Sequence, residues 1–373
     1  MQERLTIQDI AQLAGVSKAT VSRVLNQRPD VKPATRERIL RIVDEHDFVP
    51  SITASGLAGG RPHMIGVLAP ALTWPFIPEI VQGLAERIEQ SSYELTLYTT
   101  VHEQGHSLLL ERILDTRLTA GLLAVTPGQF DQKLVHLYEQ GIPVVLIDDQ
   151  HLPPNAPWVW VDNHRGAYEA VRYLLELGHR RIAHIKGPGA YQCSIDRYHG
   201  YEQALIEAGI TPRSDYVIQG DFLVASGRAA ANTLFASQER PSAIFAANDH
   251  MAWGVLEAAE AWGLRVPEEL SVIGFDDMAP SAHKRPPLTS VSQPFHEIGK
   301  RAAELLLWQI EAKRTAITSG WPEDKPAFPP PFSPNANAPL RVQLATSLVV
   351  RQSCSQYQVA QSTGQPVSPA IAL

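Results

Sequence analysis

The sequence predicts two architectures in one chain: an N-terminal all-α helix-turn-helix head, then an α/β core of two similar lobes with parallel sheets. Three observations carry this. The first 46 residues hold three short helical patterns, the first two separated by a glycine turn and the third opened by a proline. From Met64 onward, short apolar runs alternate with amphipathic stretches, and that alternation implies parallel sheets covered by helices on both faces. The length of 373 residues allows two or three packed units at about 100 to 200 residues each.

The head can be justified helix by helix. Thr6-Ile-Gln-Asp9 has the form of an N-terminal cap, with Asp9 set against the positive helix end. Ile10, Leu13 and Ala14 make the expected apolar stripe. Gly15 is a stop and turn residue. Ser17 caps a second helix whose inward face is Val21, Val24 and Leu25. Pro33, favoured in a first turn, opens a third helix running to about His46, with Ile39, Ile42 and Val43 inward.

Residues 50–63 have little to bury and contain three glycines, so a boundary falls there. Strands are expected at Met64–Ala69, 95–99, 121–125, Val144–Ile147, 182–185, 216–219, Ala243–Ala246 and 272–275. A division near Asp162, with a return crossing near Gln293, would give the two lobes. Seven prolines in 321–339 are too many for a helix or an interior strand. Residues 340–350 read as one further strand and 355–373 as a polar tail. The expected domains are 1–49, a hinge 50–63, and a core 64–353 followed by a tail. Within the core, lobe 1 is 64–161 with 293–319, lobe 2 is 162–292 with 340–353, and 320–339 is an insert.

With 44% hydrophobic and 19% charged residues, disordered and fibrous classes are excluded. No run reaches 18 apolar residues and no secretory signal pattern opens the chain, so a cytoplasmic protein is expected. Cys193 and Cys354 give neither a disulfide framework nor paired zinc spacing. The net charge of −7 argues against a nucleic-acid partner until it is divided: residues 1–41 carry eight basic and four acidic side chains, leaving −11 on the remainder. A basic head on an acidic body points to a charged partner for the head alone.

Thr6-Ile-Gln-Asp-Ile-Ala-Gln-Leu-Ala-Gly-Val-Ser-Lys-Ala-Thr-Val-Ser-Arg-Val-Leu-Asn26 closely resembles the opening of the lactose-repressor (LacI/GalR-type) family of bacterial regulators. The likeness continues through Glu176-Leu-Gly-His-Arg-Arg-Ile-Ala-His184, Ile244-Phe-Ala-Ala-Asn-Asp-His-Met-Ala252, Leu270-Ser-Val-Ile-Gly-Phe-Asp-Asp277 and Ser347-Leu-Val-Val-Arg-Gln-Ser-Cys354. The resemblance implies a DNA-binding head, a hinge helix, a core like the type I periplasmic sugar-binding proteins, and a homodimer. It places base-reading residues at Lys18, Ala19 and Arg23, and phosphate contacts at Ser17, Thr20, Ser22 and Asn26. An arginine that grips guanine with two bonds gives roughly 1–3 kcal/mol of discrimination. Leu57, with Ala54 beside it, would be the hinge wedge in the minor groove. Here Ser51 stands where Asn is usual, Ser55 where Arg is frequent, and Gly56 weakens a helix by roughly 1 kcal/mol against Ala. The hinge is therefore expected to order only on DNA.

The same resemblance gives the effector cleft. Trp74 and Phe76 from the first lobe and Phe222 from the second are the expected stacking faces for a sugar. Arg197, Asp276, Asp148 and Asn248 would bond hydroxyls, and Cys193 lies where a small polar residue often touches the ligand. Asp148, Asn248 and Asp276 also fall at strand carboxyl ends, where ligands of open parallel sheets bind.

Other signals lead nowhere. His102-Glu-Gln-Gly-His106 spells a zinc motif, but it directly follows a strand, contains Gly105, and has no evident third ligand. Asp148-Asp149 and Asp276-Asp277 are adjacent on strand ends and point apart. Gly187-Pro-Gly189 lacks the nucleotide-binding form, so no cofactor is indicated. The expected protein is a dimeric transcriptional regulator, a repressor, that binds operator DNA and a small sugar or related metabolite. A transporter's solute-binding protein fits the core but not the head, and an enzyme lacks a visible nucleophile–base pair or metal cluster.

Overall fold

The computed structural model describes residues 5–25, 28–46, 48, 62–99, 105–116, 119–126, 131–148, 156–319 and 340–357. Asn26, Ala54, Leu57, most of the hinge, the insert 320–339 and the tail beyond 357 lie outside them. The N-terminal helices form one compact unit and most of the remaining chain another.

In the head, α1 (Ile7–Leu13), α2 (Lys18–Leu25) and α3 (Pro33–Glu45) follow the expected order. The Asp9 carboxylate accepts from the backbone N–H and the hydroxyl of Thr6, each at 2.7 Å. These bonds hold its pKa below the usual value. Gly15 makes the turn at φ 61°, a conformation that costs glycine little. Ile10, Ala11, Ala14, Val21, Val24 and Ile39 form the core, with Leu25, Ile42 and Val43 packed at its edge. Leu13 departs from expectation. It is 53% exposed, and Ala11 takes the inward place, because so short a helix buries the face of Ile10, Ala11 and Ala14. Arg36 fastens α3 to the end of α2 by donating to the carbonyls of Val24 and Arg28.

The body holds two six-stranded sheets. The first contains β1 (Met64–Ala69), β2 (Glu94–Thr99), β3 (Thr119–Val125), β4 (Val144–Ile147), β5 (Trp158–Val161) and β11 (Arg341–Leu344), in the order β11-β5-β4-β3-β1-β2. The second contains β6 (Ile182–Lys186), β7 (Val217–Gln219), β8 (Ala243–Ala246), β9 (Ser271–Asp276), β10 (Thr289–Ser292) and β12 (Ser347–Val349), in the order β12-β10-β9-β8-β6-β7. β12 runs antiparallel to β10, while β9 and β10 run parallel with Phe275 opposite Val291. Every residue of β4 and β8 is buried, as strands covered on both faces must be.

Two strands, β5 and β10, were not anticipated. The stretch 340–350, expected as one strand of the second lobe, is two strands divided between the sheets. Its alternating pattern could not distinguish one edge strand from two short ones. The chain consequently passes between the sheets three times: after β5, after β10 and between β11 and β12. Around the first sheet, α4 (Ile77–Glu89) packs on α11 (Phe295–Ser319), with α5 (Gly105–Thr116) and α6 (Asp131–Glu139) between strands. On the second, α7 (Asn163–Glu176) pairs with α8 (Gln192–Glu207) and α9 (Val224–Phe235) with α10 (Asp249–Ala261).

Candidate functional site

On the head, α2 separates its residues by face. Val21 and Val24 are buried, whereas Ser17, Lys18, Ala19 and Arg23 are exposed, with Thr20 and Ser22 half-buried. The Ser17 hydroxyl accepts the Thr20 N–H at 3.2 Å and pairs with the Thr20 hydroxyl at 3.0 Å, so both also fix the start of the helix. Arg23 lies 3.6 Å from Asp30 in an exposed ion pair. Such a pair is readily exchanged for a phosphate or a base edge.

In the body, the predicted cleft residues gather at strand carboxyl ends. Every described non-glycine residue with positive φ sits there: Thr126 after β3, Asp148 after β4, Phe222 beyond β7, and Asp276 and Asp277 closing β9. Residues held in that strained region tend to cluster where function demands a fixed geometry.

The aromatic residues form a continuous run across the two lobes. Phe76, just before α4, stacks on Phe295 of α11 with centroids 5.2 Å apart and meets Trp74 edge-on at 5.7 Å. Trp74 then meets Tyr191 of the second lobe at 6.0 Å, and Tyr191 lies 5.9 Å from Phe222. The predicted rings Trp74, Phe76 and Phe222 are thus joined through two that were not predicted, Tyr191 and Phe295. The Phe222 ring occupies the space over Gly187, where a methyl group would collide with it.

The polar end is built around Arg197 on α8, which is almost fully buried. Its Nε donates to Asn163 Oδ1 at 2.9 Å, Nη1 donates to the Ala247 carbonyl at 2.6 Å, and Nη2 lies 3.5 Å from Asp276 Oδ1. Its face covers the Phe275 ring at 3.7 Å. Arg197, expected to bond a ligand, is anchored in the protein by two of its five N–H groups and by the Asp276 ion pair. Asp276 Oδ1 also accepts from Gln293 Nε2 at 2.7 Å. Burial raises the Asp276 pKa to about 6, with Arg197 and then Gln293 opposing the rise.

Next to this pair, Asp249 accepts from the Met278 N–H and from the hydroxyls of Ser281 and Ser290. Burial, then the nearby Asp276, lifts its pKa to about 7. Asn248 has a structural duty: its Oδ1 caps α10 at the Met251 N–H and its Nδ2 holds the Phe222 carbonyl, each at 3.0 Å. Asp148 is 9% exposed, and its carbonyl accepts from the Trp158 indole at 2.7 Å. Cys193, half-buried, lies in the first turn of α8. Asp276 and Asp277 do turn to different partners, Asp277 pairing with Arg351 at 2.7 Å. His102, Glu103 and Asp149 lie outside the described residues. Asn163, Gln293 and Asp249 were missed because their partners lie 17 to 41 positions away in sequence, where no local pattern links them.

Comparison with known proteins agrees with both halves. Residues 6–51 match the family described as bacterial regulatory proteins, lacI family, and residues 171–323 match a periplasmic binding protein-like domain. The catabolite control protein A of Priestia megaterium is 34% identical over 303 residues, covering 81% of this chain and 91% of that protein. A solved complex of the transcriptional regulator CelR with cellobiose is 32% identical, with a TM-score of 0.66, covering 94% of this chain and all of that one. The lac repressor dimer bound to operator and the anti-inducer ONPF is 27% identical, with a TM-score of 0.77, covering 95% of this chain and all of that one. With an exposed basic recognition face on α2, a two-lobed core and matches of this extent, the chain belongs to the LacI family and is a DNA-binding transcriptional regulator, not an enzyme.

Proposed function

We propose that this regulator is a cytoplasmic repressor, that it binds a roughly palindromic operator as a homodimer, and that a small sugar in the cleft between its lobes controls its hold on DNA. The observation that carries the effector reading is the pairing of an aromatic run, Phe295, Phe76, Trp74, Tyr191 and Phe222, with the buried Arg197–Asp276 pair. Sugars need flat apolar surfaces for their C–H faces and a few fixed polar groups for their hydroxyls. The cellobiose carried by the related CelR structure fits the same chemistry.

On this reading residues 1–49 are the DNA-binding domain, 50–63 the hinge, and 64–353 the effector and dimerisation core. Lys18, Ala19 and Arg23 read bases or adjacent phosphates, Ser17, Thr20, Ser22 and Asn26 hold phosphates, and Ala54 and Leu57 enter the minor groove. In the cleft, Trp74, Phe76 and Phe222 stack on the ligand, while Asp148, Cys193, Asn248 and Asp276 lie beside it, and Arg197 chiefly orients Asp276. Lobe closure then biases whether two hinges order together on DNA.

The test has two stages. Operator is first selected from random duplex DNA, with retention measured at two salt concentrations. A panel of mono- and disaccharides is then screened for thermal stabilisation and for release or tightening of the selected DNA. Sequence-selective, salt-sensitive binding that one sugar alters is the expected result. DNA binding indifferent to every stabilising sugar would remove the effector role.

A further inference from the structure

Behind the cleft lies a buried carboxylate whose hydrogen bonds run to the chain that leaves β9 and returns as β10. Asp249, the first residue of α10, is fully buried. Its Oδ2 accepts from the Met278 N–H at 2.8 Å and the Ser281 hydroxyl at 2.6 Å, and its Oδ1 accepts from the Ser290 hydroxyl at 2.5 Å. Each serine oxygen accepts a further donor, the Trp253 indole at 2.9 Å for Ser281 and the Asp277 N–H at 3.1 Å for Ser290. Gly274 of β9 makes the room, since a methyl group there would lie 2.2 Å from Asp249 Oδ1.

These bonds hold the strained end of β9. Asp276 and Asp277 have φ values of 102° and 54°, and successive non-glycine residues stay in that region only where their surroundings fix them. The N–H groups of Asp277 and Met278 are held through Ser290 and by Asp249 itself. The residue before Asp249, Asn248, holds the Phe222 carbonyl. Two adjacent side chains at the start of α10 thereby fix the backbone at Phe222 and at the Asp276 corner.

The three groups that bond Asp249 are donors, which suits an ionised carboxylate. A proton added to it finds the Ser281 and Ser290 oxygens as acceptors, and the serine that takes it must turn its own hydrogen away, so that one bond to the corner is lost. Burial, then Asp276, places that proton in the neutral range, at a pKa of about 7. The charged and titratable groups around the network are Asp276 with Arg197, Asp277 with Arg351, and His250 and Lys284, which lie 4.7 and 4.6 Å from the Trp253 ring centre. Burial, then Lys284, holds His250 below its ordinary value, so above pH 6.5 it is largely neutral. Asp276 titrates lower, at about 6.

We propose that Asp249 is a positioning residue for the effector: ionised, it locks the Asp276 corner in the shape that binds, and effector binding therefore drives a proton from Asp249 to the solvent. This rests on the sugar reading above, because Asp249 acts through Asp276.

The full chain is titrated calorimetrically with D-glucose, D-ribose, cellobiose and sucrose at pH 6.5, 7 and 8.5, each in two buffers of different ionisation enthalpy. If protonation of Asp249 weakens binding about tenfold, the affinity of the sugar that binds rises about threefold from pH 6.5 to 8.5, with net proton release near pH 7. Asp249→Asn keeps the shape and imitates the protonated form. It is expected to bind about tenfold more weakly at pH 8.5 and to lose most of the pH dependence and of the proton release, which a purely structural loss does not remove. Thermal unfolding checks that the variant is folded. Should it not fold, Ser281→Ala and Ser290→Ala, each removing one bond to Asp249, carry the test with a smaller loss of affinity.

An Asp249→Asn affinity within twofold of wild type at pH 8.5, serine variants both within twofold where they replace it, or proton release that the substitution leaves unchanged would each overturn the proposal while the sugar reading stands. Weakened binding in Asp249→Asn without any proton release in the wild type makes Asp249 a structural residue and overturns it equally. Binding of none of the four sugars overturns the sugar reading, and this proposal with it.

Discussion

Single side chains divide into those that touch solvent and those that set a buried charge. Arg23, exposed on α2 and paired with exposed Asp30, belongs to the first group. Arg23→Ala is expected to abolish specific operator retention in a gel-shift assay while leaving the thermal midpoint and sugar binding unchanged. Asp249 and Asp276 belong to the second, with pKa values raised to about 7 and about 6. The folded protein binds these protons more tightly than the unfolded chain, whose aspartates ionise near 4. Their contribution to stability is therefore complete below about pH 4 and is lost as pH rises through 6 and 7. His184 acts in the opposite sense. Burial first and foremost lowers its pKa to about 3, so its contribution is present above about 6.5 and is lost on acidification. Asp249→Asn should flatten the fall in stability between pH 5 and 8, as measured by urea midpoints. An unchanged slope would show that Asp249 does not titrate there.

At the scale of elements, close approach decides as much as hydrophobic pattern. Gly83 of α4 and Gly299 of α11 each face the other helix's backbone, the first against the His296 carbonyl and the second against that of Ile80. A methyl group at either position has no room. Gly299→Ala is expected to cost about 1–3 kcal/mol, the usual range for overpacking, read from the denaturant midpoint. Gly187→Ala is different in kind, since the displaced group is the Phe222 ring at the cleft rather than a helix. Operator binding should survive this change while the ligand response is lost or strongly weakened; a normal response would show that the ring's position is unimportant. Most strands were legible because buried parallel strands read as short apolar runs. β5 and β10 were not, since Trp158–Val161 follows a proline-rich stretch and three of the four residues of Thr289–Ser292 bear hydroxyls. Both owe their strand state to neighbours already in place on the sheet.

For the whole molecule, charge distribution matters more than its total. A net −7 chain that concentrates a positive excess in residues 1–41 is expected to bind operator with a steep salt dependence, because each neutralised phosphate releases counterions. Lys18→Ala should weaken operator binding and, if Lys18 meets a phosphate, reduce the slope of log affinity against log salt by about 1. An unchanged slope together with altered base preference would assign it to a base edge. Among the described residues, no helix is long and apolar enough to cross a membrane.

The sequence by itself determined the two-part architecture, the head's three helices and the positions of most strands, because caps, turn glycines and apolar periodicity are local properties. It also singled out Arg197 and Asp276 through the resemblance of their motifs. Only the tertiary structure decided how those residues are held: that Arg197 is anchored by Asn163, Ala247 and Asp276, that Asn248 caps a helix, and that Tyr191 and Phe295 complete the aromatic run. The reason is physical. A hydrogen bond between positions 17 or 50 residues apart depends on strand order and on where the chain crosses between sheets, and neither leaves a periodic trace in the sequence.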